Sequence, residues 1–248
     1  MPKMTSMSKE EKLKQMTETP VEKLIPRLAV PTIISMLVTS IYNMADTFFV
    51  SQIGTSASGA VGVMFSAMAM IQAIGFTLGM GSGNYISRSL GRKDDQASGQ
   101  AAATAFYTAG LIGLLIAVLG TLFSGPLVYF LGATETIAPF AQDYARYILM
   151  AAPFMMTSFV MNNILRAQGN AVFAMVGITT GGILNMILDP ILIFGFHMGI
   201  SGAAIATMVS QIISFLILLY QSNVQKGCIR IRFRNFTLLF PCTGSFSM

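Results

Sequence analysis

Two acidic residues, Asp46 and Asp189, lie inside long apolar segments of this 248-residue chain. The other Asp and Glu residues lie in polar ends or in connecting segments. An acid inside an apolar segment of membrane-spanning length is costly, so it is by default a functional residue, usually a proton or ion site. The first question is therefore whether the two acids belong to one site.

Helical spacing places further polar groups near these acids. Tyr42 or Asn43 shares a side of its helix with Asp46, one turn earlier in the sequence. A later apolar segment carries Thr207 and Gln211, which offer hydroxyl and amide groups. These side chains are candidates for a shared polar cavity.

The segment that contains Asp189 has a regular pattern of its own. Gly177, Gly181 and Asn185 precede Asp189 at intervals of four residues, so all four lie on one face of a helix. The glycines allow a neighbouring helix to approach closely. We expect the polar end of this face to point at that neighbour or at a water-filled cavity.

The two acids also match in depth. Asp46 lies four residues before the predicted end of its segment, and Asp189 lies five residues before the end of its own. If they are neighbours, burial and mutual repulsion both disfavour two negative charges, and the pair takes up protons as a unit. Alternatively, Asn185, Tyr42 and Thr207 complete an oxygen cage for Na⁺, since hard cations prefer oxygen ligands.

The composition indicates an all-α, polytopic membrane protein. The chain is 54% hydrophobic and only 10% charged, whereas soluble domains carry about 25% charged residues. No segment shows the alternation of period 2 that a membrane β-barrel requires. Six segments reach about the 20 residues that a bilayer needs; they are 28–50, 59–85, 101–123, 147–165, 171–194 and 200–220.

The basic residues predict the orientation. Apart from Arg146, every Lys and Arg precedes the first segment or follows the second, fourth or sixth. The positive-inside rule then places both termini in the cytoplasm. The formal net charge of +5 is thus a topology signal, and we predict no nucleic-acid partner. Tyrosines near segment ends fit interfacial positions; they are Tyr85, Tyr129, Tyr144, Tyr147 and Tyr220.

Few residues suggest metal or catalytic chemistry. His197 has no neighbouring His or Cys, and Cys228 and Cys242 fall in the polar tail. No nucleophile and base pattern stands out, so we expect no enzyme activity, metal or cofactor.

Several motifs together resemble those of the multidrug and toxic compound extrusion (MATE) transporters. Residues 31–50, with Tyr-Asn-Met-Ala-Asp at 42–46, resemble the first helix of that family. Residues 88–94 and 165–170 look like its loops after helices 2 and 4. The pattern Asn185-x3-Asp189-Pro190 is similar to its fifth helix.

The resemblance implies a function and a site. The family exports organic cations and varied drugs across the prokaryotic cytoplasmic membrane in exchange for H⁺ or Na⁺, which would act as the coupling ion. Its proton or ion site matches Asp46, Asp189, Asn185, Tyr42 and Thr207. Candidates for the substrate cavity are Asn43, Asn162, Asn163 and Gln211.

The resemblance also predicts what this chain lacks. Family members have twelve helices in two lobes, whereas this chain contains segments for one lobe. We expect a cytoplasmic N-terminal segment with a short interfacial helix at 1–26, a six-helix lobe at 27–222, and a basic tail at 223–248 that stops before a second lobe. A second lobe or a homodimer would complete the transporter. Two alternatives are a non-transporting membrane fragment or subunit and a lipid-linked sugar flippase; the predicted spans contain essentially no cations, which argues against the flippase.

Overall fold

The computed structural model describes residues 19–224, and the described part is helical apart from short connections. Cys228 and Cys242 and most of the predicted tail lie outside the described residues. The helices are α1 (Val21–Ser51), α2 (Thr55–Gly91), α3 (Asp95–Leu122), the short α4 (Ser124–Phe130), α5 (Ala138–Ala167), α6 (Ala171–Pro190) and α7 (Gly199–Val224).

Six of these helices are long and apolar enough to cross a membrane, namely α1, α2, α3, α5, α6 with its continuation to Gly195, and α7. The prediction of six spans and of an all-α fold is therefore confirmed. The fourth span starts nine residues earlier than the sequence indicated, at Ala138, where a proline occupies the first turn. α1 begins at Val21 and runs without interruption through the boundary predicted at 26/27.

α5 forms the centre of the lobe. It packs against α2 and α3 on one side and against α6 and α7 on the other. In the most apolar 18-residue stretch of α5, 72% of the residues are buried, whereas the corresponding share for α1 is 12%. Alanine dominates the buried cluster around α5, and such small side chains allow helices to pack closely.

α6 does not end as an ordinary helix. Proline has no N–H group to donate to the preceding turn, and after Pro190 the backbone continues as a π-helical turn, Ile191–Gly195. The N–H of Phe196 donates to the carbonyl oxygen of Ile191 at 3.0 Å, which closes this wider turn. Such turns often occur at functional sites, and this one directly follows Asp189.

Candidate functional site: a buried acid pair beside a polar cavity

The structure brings the two acids together. Asp189 on α6 is fully buried, and Asp46 on α1 is half-buried. α1 packs directly against α6, and the charges of the two carboxylates interact. The matched depth inferred from the sequence thus corresponds to spatial proximity.

Asn185 connects Asp189 to the next helix. Its Nδ2 donates to Asp189 Oδ1 at 3.3 Å and to Thr207 Oγ1 on α7 at 3.2 Å. Asn185 and Thr207 are both buried. A single amide group therefore holds α6 and α7 in register one turn before the acid.

Within residues 19–224, three buried oxygens of this cluster have no hydrogen-bond partner: Asp46 Oδ1, Asp189 Oδ2 and Asn185 Oδ1. Most buried polar atoms in proteins are paired, so three unpaired oxygens in one cluster need an explanation. Carboxylate and amide oxygens are suitable ligands for a proton or a hard cation. The cluster therefore offers only oxygen atoms to a ligand.

Tyr144 completes the cluster, although its position in the sequence did not indicate this role. We expected an interfacial tyrosine, and this expectation is wrong, because Tyr144 is fully buried on α5. Its hydroxyl hydrogen-bonds with the Thr207 side chain, and it lies within electrostatic range of Asp46 and Asp189. The signal in the sequence was Pro139: proline favours the first helical turn, so α5 starts early enough to bury Tyr144.

Tyr42 packs at the contact between α1 and α6. A Cβ atom added at Gly182 would lie 3.0 Å from the Tyr42 ring, so the glycine makes room for the tyrosine. Tyr42 also interacts electrostatically with Asp46, one turn further along α1. The five side chains predicted for the ion site therefore lie around one point in the lobe.

A cavity of about 360 Å³ lies next to this point, on the side where α5 ends. Tyr42, Asn185 and Thr207 line both the acid cluster and the cavity. Its other lining residues are Ser35, Met36, Thr39, Ser40, Gln72, Phe76, Ser158, Phe159, Arg166, Ile178, Gly181, Gly182, Ser210, Gln211 and Ser214.

One of the four residues expected to line a substrate cavity, Gln211, does so. Asn43 is exposed on α1. Asn162 is buried and donates to the carbonyl oxygen of Ala174 at 2.9 Å, while Asn163 donates to that of Phe159 at 2.8 Å. The last two amides satisfy backbone groups of helices, a role that helical spacing alone does not reveal.

Arg166 also differs from its prediction. The sequence placed it in a loop, but it lies in the last turn of α5 and lines the cavity. The expectation of essentially no cations inside the spans is therefore wrong for Arg166, which lies within the apolar helix Ala138–Ala167.

A six-helix lobe with buried acids beside a polar cavity defines a polytopic membrane protein of the transporter class. The MatE family model matches residues 31–191, and this chain belongs to that family. The resemblance inferred from the motifs is thereby confirmed. The matched region contains Tyr42, Asp46, Asn185 and Asp189.

Relatives agree with this assignment. The multidrug export protein MepA of Staphylococcus aureus (strain MRSA252) is 30% identical over 227 residues, which are 90% of this chain and 50% of MepA. A MOP superfamily transporter from Pyrococcus furiosus, described as having a binding pocket of reverse polarity, matches with a TM-score of 0.84 at 30% identity. The match covers 95% of this chain and 51% of that protein.

A second solved structure, an outward-facing multidrug resistance MATE family transporter, also has a TM-score of 0.84 at 30% identity, over 95% of this chain and 51% of its own. The chain thus spans about half the length of the relatives that it matches. This is consistent with one lobe of the MATE architecture.

Proposed function

We propose that this chain is the ion-binding lobe of an antiporter that exports organic cations and drugs in exchange for H⁺ or Na⁺. The observation that carries the proposal is the fully buried Asp189, which lies within electrostatic range of Asp46. Asp189 accepts a hydrogen bond from Asn185, whose amide also donates to Thr207. MepA, which is 30% identical, is described as a multidrug export protein. The orientation with both termini in the cytoplasm belongs to the same proposal.

In this mechanism the two carboxylates hold the coupling ion. Asp189 Oδ2 and Asp46 Oδ1 provide unpaired oxygens for the ion. Asn185 keeps Asp189 in place and offers its own oxygen, while Tyr144 and Thr207 form a hydrogen bond at the side of the site. Binding the ion neutralises a buried charge, so the packing of α1 against α6 changes with ion occupancy.

The test is export of a fluorescent organic cation in everted vesicles that contain the chain or its Asp189→Asn variant. Asn retains the size of the side chain but cannot become negatively charged. We expect the variant to insert normally and to lose ion-driven export. Asp143→Asn is the matched control, because Asp143 is an exposed acid on α5 and its replacement should leave export unchanged.

Two gradients, each imposed alone, distinguish H⁺ from Na⁺ as the coupling ion. Export driven by a pH gradient alone assigns H⁺, and export driven by a sodium gradient alone assigns Na⁺. Equal export by the chain and by Asp189→Asn would overturn the role of the acid. If neither exports although both insert, the chain alone is a non-transporting subunit.

A further inference from the structure

The cavity contains a charge that the proposed ion site does not use. Arg166 lines the cavity from the last turn of α5 and is half-buried. Among residues 19–224, no carboxylate forms an ion pair with its guanidinium group. Buried charges are normally paired, because an unpaired charge loses hydration without compensation.

Two buried hydroxyl groups in the same cavity also lack partners. Ser158 on α5 is 5% exposed and Ser210 on α7 is 2% exposed, and neither Oγ has a hydrogen-bond partner in the part of the chain that the structure describes. Ser158 lies two turns before Arg166, so both face the same side of α5. The cavity therefore contains a cation and two hydroxyl groups that are available to a ligand.

Part of the wall is apolar and aromatic. Phe76 on α2 and Phe159 on α5 lie with their ring centroids 4.7 Å apart. Met36 and Ile178 line the cavity from α1 and α6. Pockets for small molecules typically have volumes of about 300–1,000 Å³, apolar walls and a few polar groups that fix orientation, and the volume of about 360 Å³ lies in this range.

We propose that the cavity is a binding pocket for an oxyanion, a phosphate or carboxylate group carried by a compact apolar molecule. Arg166 binds the charged group, because a guanidinium group offers paired N–H donors that match two oxygens of an oxyanion. Ser158 donates a further hydrogen bond, and the apolar body lies against Phe76 and Phe159. This site is built around a positive charge, whereas the cluster at the other end of the cavity is built around acids.

The absence of tryptophan from the chain provides a clean reporter. The Phe76→Trp variant carries a single indole in the cavity wall, and its fluorescence reports binding without any transport. The probe is phenyl phosphate, with benzamide as the neutral analogue and phenyltrimethylammonium as the cationic one. The purified full chain is titrated in a neutral detergent.

We expect saturable binding of phenyl phosphate, and binding at least about tenfold weaker for both analogues. In the Phe76→Trp background, Arg166→Gln should weaken the binding of phenyl phosphate by about tenfold or more. Arg166→Lys should retain part of the affinity for phenyl phosphate. Arg146→Gln is the matched control, because Arg146 is exposed on the same helix and does not line the cavity. The Arg146→Gln control should bind phenyl phosphate with the same affinity as its Phe76→Trp parent.

Two outcomes would overturn the proposal. One is equal binding of benzamide and phenyl phosphate, which shows an apolar pocket without charge selection. The other is unchanged affinity in Arg166→Gln. Competition with phenyl phosphate then identifies the natural source of the oxyanion. Displacement of phenyl phosphate by phosphatidylglycerol assigns the site to a lipid headgroup. Displacement by inorganic phosphate, without competition by the lipid, assigns the site to a soluble oxyanion.

Discussion

At the scale of single residues, Asn185 has the central role in the acid cluster. Its Nδ2 donates to two acceptors that belong to different helices, Asp189 on α6 and Thr207 on α7. In turn, Thr207 hydrogen-bonds with Tyr144 on α5. Removing one amide therefore affects three helices, because each hydrogen bond in such a network depends on its neighbours.

We predict that Asn185→Leu destabilises the lobe. The change preserves the approximate volume but leaves Asp189 Oδ1 without its donor in a buried site. Leaving a buried polar group unpaired costs about 1–3 kcal/mol, so the thermal midpoint of purified protein in detergent should fall. Circular dichroism measures the loss of helix. Thr180→Val is the control, because Thr180 bonds only to the carbonyl of Val176 in its own helix.

A double-mutant cycle with Thr207→Val tests the network itself. Both single changes remove the same hydrogen bond between Asn185 and Thr207, so the double variant should lose less stability than the sum of the two single losses. Purely additive losses would show that the two side chains act independently.

The sequence predicted this cluster in part. Spacing of four residues on one helix identified Asn185 and Asp189, and the cost of a buried acid identified Asp46. The partners from α5 were missed for one physical reason: the apolar run of α5 becomes strong only after Tyr147, whereas the helix itself extends from Ala138 to Ala167. Tyr144 and Arg166 lie in those end turns, so they were assigned to an interface and a loop.

At the scale of helices, the contact between α6 and α7 positions the acid cluster. A Cβ atom added at Gly181 would lie 2.9 Å from Ser214 Cβ and 3.3 Å from the carbonyl oxygen of Ser210. Gly177 packs even more closely against the side chain of Leu218. The helices therefore approach so closely that glycine is required one turn before Asn185, as the four-residue glycine spacing predicted.

We predict that Gly181→Val separates α6 from α7. The added methyl groups meet backbone as well as side-chain atoms, and overpacking of this kind costs about 1–3 kcal/mol. The thermal midpoint should fall, and ion-driven dye export should fall with it, because the bond from Asn185 to Thr207 lies one turn away.

Gly81→Val on α2 is the matched control for this change. No atom lies within 4 Å of a Cβ built at Gly81, so the same valine there alters helix propensity without crowding. Comparing the two variants isolates the effect of the helix contact. If both lose the same stability, the close approach of α6 and α7 has no special role.

At the scale of the whole molecule, α1 is the most weakly covered of the six spans. Only 12% of its most apolar 18-residue stretch is buried, although it carries Asp46 of the proposed ion site. Its exposed residues Leu37, Met44 and Phe48 are large and apolar, which suits contact with lipid or with another lobe. The relatives are about twice as long as the matched region, and we infer that a second lobe or a second copy covers this face.

A covalent tandem of two copies tests this inference. Six spans place the start and the end of the lobe on the same side of the membrane, so a flexible linker can join two copies in the same orientation. Linking raises the effective concentration of the partner without adding any contact. At low expression, we therefore expect the tandem to export dye faster per lobe than the single chain.

A tandem with Asp189→Asn in both copies is the control for export that does not depend on the ion site, and it should be inactive. Equal rates per lobe for the tandem and the single chain would contradict pairing, since a chain that works alone gains nothing from a tethered copy. An inserted but inactive tandem would contradict pairing of identical lobes and leave a distinct second lobe as the partner. The tandem thus distinguishes a second copy from a distinct second lobe as the cover of α1, because the linked protein contains a second copy and no other lobe.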